Sequence, residues 1–321
     1  ELTDQREKLN MTLHQYLPIV RSDYLSRIIR GRIHSDALNR QELEKMGVHL
    51  PYGAFLVAVA EIDDCSKLIR EDSEQEWGLV RFIMGNAAVE MLDGHVYPIE
   101  LDRRRIALLI NVEAAGAAQE SRVRAALERW QTFLEKRLRT YITIGISEIH
   151  ETIGNISQCY LEADHALEYK MVKGEGTILC YREVSRLGVR TYYFPVELEV
   201  QLTNFVKMSD FVSVERLLDK IYEMNFVRQS ISPEMGRQLF SDLISCMSKL
   251  AASLELPMPG MREVFEGCSS AEEMMERTKQ AVAQLCEALA ASKTDSLERI
   301  YMRIKEYIDE HYLENSITLH S

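Results

Sequence analysis

Two short stretches carry the side chains most able to do chemistry. Glu61-Ile-Asp63 closes an apolar run, and Asp102-Arg103-Arg104 sits where two strand-like segments meet in a hairpin. Carboxylates of this kind can hold magnesium against a triphosphate. Arg103, Arg104 and Arg105 would repel that metal and could attract an anion instead. A nucleotide-binding turn also needs glycines, so that backbone approaches the ligand without a Cβ in the way. No two glycines are adjacent anywhere in this chain. Other chemistries fail on spacing. Gly174-x-Gly176 lacks the third glycine of a dinucleotide loop, and no Gly-x4-Gly-Lys-Ser/Thr, His-Glu-x-x-His or Gly-x-Ser-x-Gly occurs. His165 reads as an ordinary helix residue. The expectation is a chain with no catalytic residues, no cofactor and no metal.

Composition narrows the partners. The 321 residues suffice for two or three domains, and the 46% apolar and 27% charged content is that of an ordinary globular protein. A net charge of −12 argues against this chain being itself a nucleic-acid-binding surface. From Lys293 onward there are four basic and six acidic side chains, so a basic recognition helix is missing there too. Six dispersed cysteines without Cys-x-x-Cys suggest neither a zinc site nor a disulfide framework, which suits a reduced cytoplasm. No run approaches the roughly 18 apolar residues of a membrane span. The chain opens on Glu1-Leu-Thr, so an upstream module is expected to have been removed.

The elements that must position these residues follow from periodicity. Residues 1 to about 46 read as helix broken near Gly31, with Leu9, Leu13, Leu17, Val20 and Tyr24 on one apolar face. That stripe either marks a dimer surface or packs on the following domain. Ala54–Ile62 reads as a buried strand, Glu76–Leu92 as a helix, and His95–Leu101 with Arg105–Val112 as a hairpin. Ser121–Leu138 is a helix, Tyr141–Ser147 a strand, Asn155–Lys170 a helix and Thr177–Tyr181 a last strand. Strand, helix, strand, strand, helix, strand, helix, strand makes one α/β domain with a mixed sheet. With Ile144-Gly-Ile-Ser147, Tyr160-Leu-Glu-Ala-Asp-His-Ala-Leu-Glu-Tyr169 and Gly174-Glu-Gly-Thr-Ile-Leu-Cys-Tyr181 arriving in this order, it resembles a GGDEF domain, most of all the degenerate kind found in bacterial transcription regulators. The resemblance makes Glu61 and Asp63 the counterpart of the family's Asp-x-Asp metal pair, with Glu in place of one Asp. It makes Asp102, Arg103 and Arg104 the vestige of the signature turn, where arginines replace the glycines and acids of an active cyclase.

From Tyr192-Tyr-Phe-Pro195 onward the pattern is helical. Ser232-Pro-Glu-Met opens one helix with Ser at its N-cap, Ser270–Ala291 is another, and Ser292-Lys-Thr-Asp-Ser296 reads as a hinge. Ile300, Ile304, Tyr307 and Ile308 then mark an amphipathic helix, a polar turn follows, and Thr318 caps a helix starting at Leu319. This ending resembles the opening of an AraC-type helix-turn-helix domain, cut short. The expected class is α+β: N-terminal signalling helices (1–48), a degenerate GGDEF-like α/β domain (49–182), an all-α linker (183–292) and the first helix of a truncated helix-turn-helix domain (293–321). The resemblances imply the regulatory part of a cytoplasmic, dimeric transcription regulator. DNA would be bound by the missing C-terminal domain, and a signal received from an upstream receiver or membrane-anchored sensor. Two alternatives remain at this stage: a pseudo-cyclase that senses a nucleotide or cyclic dinucleotide at the arginine turn, and a pure dimerisation scaffold.

Overall fold

The structure, a computed structural model, describes residues 20–33, 40–69, 71–92, 94–187 and 191–311. It divides into two compact units, Glu1–Gly188 and Val189–Ser321.

The first unit is built on a five-stranded sheet. Its strands are β1 (Ala54–Asp64), β2 (His95–Glu100), β3 (Arg105–Val112), β4 (Tyr141–Ile146) and β5 (Ile178–Cys180), in the order β2-β3-β1-β4-β5. β1 runs antiparallel to both neighbours, and β4 and β5 are parallel, so the sheet is mixed. The apolar run in β1 is nearly unbroken because both faces are covered. Leu56, Ala58, Ala60 and Ile62 share a core with α3 (Glu74–Met91) and α4 (Ala117–Phe133), the latter continuing as a wider turn over Leu134–Leu138. Trp130 is fully buried and its Nε1–H donates to Met84 O, tying these two helices together. Phe55, Val57 and Val59 point the other way, onto α5 (Ile156–Glu168). The approach of α5 depends on Gly145 in β4, where a Cβ would lie 2.1 Å from Ala163 O.

The first described helix, α1 (residues 20–29), contributes Leu25, Ile28 and Ile29 to that same core. Of the N-terminal stripe, Tyr24 packs against that core and Val20 is exposed. Leu9, Leu13 and Leu17 lie outside the described residues. After α1 the chain turns at Gly31 and resumes in α2 (Arg40–Lys45). Short helices α6 (Lys170–Lys173) and α7 (Tyr181–Val184) flank β5.

The second unit is helical: α8 (Val196–Lys207), α9 (Phe211–Tyr222, extended by a wide turn to Arg228), α10 (Pro233–Ser253), α11 (Met261–Val264) and α12 (Ala271–His311). Ser232 caps α10 as its sequence indicates, accepting from Met235 N with Pro233 in the first turn. Asn225 is fully buried and its amide bonds both N and O of Tyr193, fixing the strand-like approach to α8. Phe226 stacks on Phe240, whose edge meets Phe265.

One expectation is corrected here. Ser292–Ser296 is not a hinge, because α12 runs through it without a break. Thr294 returns its hydroxyl to Ala290 O, and Lys293 Nζ reaches Lys207 O, so polar residues at these positions serve the helix rather than end it. Ile304, Tyr307 and Ile308 are exposed along the distal part of α12. Thr318 and Leu319 lie outside the described residues.

Candidate functional site

The β1–β3 register sets Glu61 opposite Arg105, and Ile62 N donates to Arg104 O. The acidic strand end and the arginine turn are therefore neighbours. They are nevertheless two different environments.

At the strand end, odd-numbered residues of β1 face α5, so Glu61 and Asp63 point toward its C-terminal end. A register shift between Ile62 and Asp64 on the β4 side marks a bulge there. The helix stops at Glu168, and the separate turn of α6 brings Lys170 inward. Lys170 Nζ lies 2.8 Å from Glu61 Oε1, 2.7 Å from Asp63 Oδ1 and 3.4 Å from Glu175 Oε1. The Asp63 side chain is only 2% exposed and that of Lys170 9%. Asp63 Oδ2 accepts from Thr143 Oγ1 at 2.8 Å and from Gly176 N at 3.1 Å. Gly176 can present that N–H because it takes a φ of +69°. Asp63 Oδ1 meets Lys170 Nζ and no other polar group.

Burial pushes the Asp63 carboxyl up, and Lys170, Thr143 and Gly176 draw it partway back. Burial also disfavours the Lys170 ammonium, but the contacts with Asp63 and Glu61 outweigh it and raise its pKa. With three carboxylates around one ammonium, the charged lysine is the state the geometry supports. The residues do not fit a magnesium site as they stand. An ion between Glu61 and Asp63 would meet a buried ammonium already in contact with both.

At the turn, Asp102 works as a staple. Its Oδ1 accepts from Arg104 N and Arg105 N, both at 3.0 Å, and its Oδ2 from Arg105 Nε at 2.7 Å. Burial opposes its charge, yet Arg105 and the two backbone N–H groups hold its carboxyl below the usual range. Arg103 pairs with Asp72 Oδ1 at 2.6 Å and also donates to Asp72 O. Arg103 and Arg104 both lie over the Trp77 ring, at 5.2 and 5.5 Å from its centroid. Arg81 supports the turn from beneath: it is 7% exposed, bonds Glu74 and Glu100 at 2.7 Å each, and donates to Arg103 O at 3.0 Å. Arg30 Nη2 reaches Leu101 O at 2.8 Å.

The structure thus brings together Glu61, Asp63, Asp102, Arg103 and Arg104, all singled out in the sequence. Lys170, Thr143, Glu175 and Arg81 were not legible there. Lys170 stands 109 residues from Glu61, and no spacing rule links the two.

Residues 30–169 match the family model described as a GGDEF-like domain. Over 233 residues the chain is 21% identical to the uncharacterized HTH-type transcriptional regulator YtdP of Bacillus subtilis (strain 168), covering 72% of this chain. The chain spans 30% of that relative's length. Among solved structures it is similar to the active GGEEF domain of a diguanylate cyclase from Vibrio cholerae, at 12% identity and a TM-score of 0.33, covering 44% of this chain and 89% of that one. It is also similar to the coiled coil and GGDEF domain of DgcB from Caulobacter crescentus in complex with c-di-GMP, at 16% identity and a TM-score of 0.35, covering 56% and 96%. Among the described residues no helix is long and apolar enough to cross a membrane. The family match identifies residues 30–169 of this chain, which carry the mixed sheet, as a GGDEF-like domain.

Proposed function

We propose that this chain is the non-catalytic, regulatory part of a DNA-binding transcription regulator of the AraC type. In it the GGDEF-like domain and the helices after it relay a signal and hold two copies together. The single observation that carries the non-catalytic reading is Lys170, whose ammonium lies against both Glu61 and Asp63. The turn adds to it, since Arg103 is committed to Asp72 and Trp77 rather than open to a phosphate. That commitment favours a relay over nucleotide sensing.

The likeness to an HTH-type regulator supports the transcriptional role. The distal part of α12 supports it too: Leu297, Ile300, Ile304 and Ile308 recur at helical spacing and are exposed, which suits a helix meant to pack against further helices. In this reading a two-fold dimer matches paired half-sites on DNA, and the DNA is read by a separate module of the parent protein. A signal enters from an upstream sensor or receiver.

The test is a mobility shift on the parent's own promoter at low salt, comparing this chain with the full-length regulator. Weak or no binding by this chain, beside tight binding by the parent, is expected from its net charge of −12. Equal affinity would place the DNA-binding surface here and overturn the reading.

A further inference from the structure

We infer that the Lys170 ammonium takes, in this chain, the place of a divalent cation between Glu61, Asp63 and Glu175, so that the strand end is closed by a side chain and needs no metal. Three carboxylate oxygens converge on one point, at 2.8, 2.7 and 3.4 Å from the lysine nitrogen. They come from two separate parts of the chain, the end of β1 and the turn after α6. Asp63 is the sharpest indication. Its side chain is 2% exposed, and Lys170 Nζ, at 2.7 Å, is the one group its Oδ1 meets. A buried carboxylate oxygen is ordinarily satisfied by N–H or O–H donors. Here the only such donor to Oδ1 is the ammonium itself, so one cation satisfies an oxygen that is otherwise sealed.

Distances decide which ion would suit the same oxygens without the lysine. Calcium takes carboxylate oxygens at roughly 2.3–2.6 Å in flexible geometry, so Glu61 and Asp63 would close in by only a few tenths of an ångström. Magnesium requires about 2.0–2.1 Å and a near-ideal octahedron, a larger rearrangement around a buried strand end. The class of ion is therefore calcium-sized. Replacing the ammonium by an apolar group of similar length leaves three carboxylates facing one another, which creates affinity for such an ion.

The experiment is isothermal titration of calcium into the full chain and into its Lys170→Met variant, with terbium luminescence as a parallel readout. No saturable calcium binding is expected for the wild type. The variant should bind one ion with a Kd of about 10⁻⁵–10⁻³ M, and the double variant Asp63→Asn/Lys170→Met should lose it. The Tm of Lys170→Met should fall by roughly 10 °C and recover in part when calcium saturates it. Calcium or magnesium binding to the wild type as tightly as to the variant would overturn the inference. So would a folded Lys170→Met that binds no ion. Should Lys170→Met not fold, circular dichroism of refolding with and without calcium decides: recovery with calcium supports the inference, and no recovery counts against it. The readout is independent of GTP turnover, so a failure here is distinguishable from a failure of the non-catalytic reading.

Discussion

The acidic strand end and the arginine turn lie side by side, yet they hold their charges in opposite ways. Glu61 and Asp63 are drawn inward to a lysine that is itself buried, and Asp63 is nearly sealed from solvent. Arg103 and Arg104 stay outside, pinned to the rim of the domain by Asp72 and the face of Trp77. At the strand end, low dielectric makes each contact strong and each missing partner costly. At the turn, water screens the same kinds of charge, and the turn is held by Asp102 and by Arg81 from beneath. Proximity in a fold does not imply a shared environment: one pair turns in toward a buried lysine, and the other is an exposed clamp.

The largest effect should come from Asp63→Ala. It strips the nearest carboxylate from a buried ammonium and leaves the Thr143 hydroxyl without its acceptor, while Gly176 N keeps only Thr143 Oγ1, and breaking a pair of this kind costs about 3–5 kcal/mol. Chemical denaturation of wild type and variant measures it. A loss under about 1 kcal/mol would mean that the strand end behaves like the turn.

A pH series sharpens the contrast further. Lys170 has a raised folded pKa, so its contribution is fully present below the unfolded lysine value of about 10.4 and is lost as pH rises through the folded one. The stability gap between wild type and Lys170→Met should stay flat from pH 7 to about 10 and narrow only above that. A gap that closes as pH rises from 6 to 8 would contradict the pairing. Arg103→Ala is expected to do least: a Tm within about 2 °C of wild type, since the pair it breaks is exposed. A collapse of the domain in that variant would show that the rim is structural after all.

The sheet was legible because each of its signals is local. The apolar run at Ala54, the hairpin either side of Asp102 and the Ser232-Pro233 cap can each be read within a dozen residues. The α12 hinge was misread for the same reason, since polar residues at 292–296 look like a linker until their hydrogen bonds are known. The site was half legible. Its acids and arginines stand in recognisable places, but what governs them is distant in sequence. Lys170 reaches Glu61 across 109 residues and Arg103 reaches Asp72 across 31. Whether a carboxylate pair faces a metal or a lysine is decided by how α5 ends, a detail of tertiary structure that hydrophobic periodicity does not carry.

On the proposed reading the end of β1 serves no phosphoryl chemistry, and product formation is the shortest test of that. The purified chain is incubated with GTP and magnesium, and cyclic dinucleotide is quantified by chromatography against a no-protein blank. No product above the blank is expected, for the wild type and for Glu61→Ala alike. Turnover by the wild type that disappears in Glu61→Ala would show a working phosphoryl-transfer site at the end of β1.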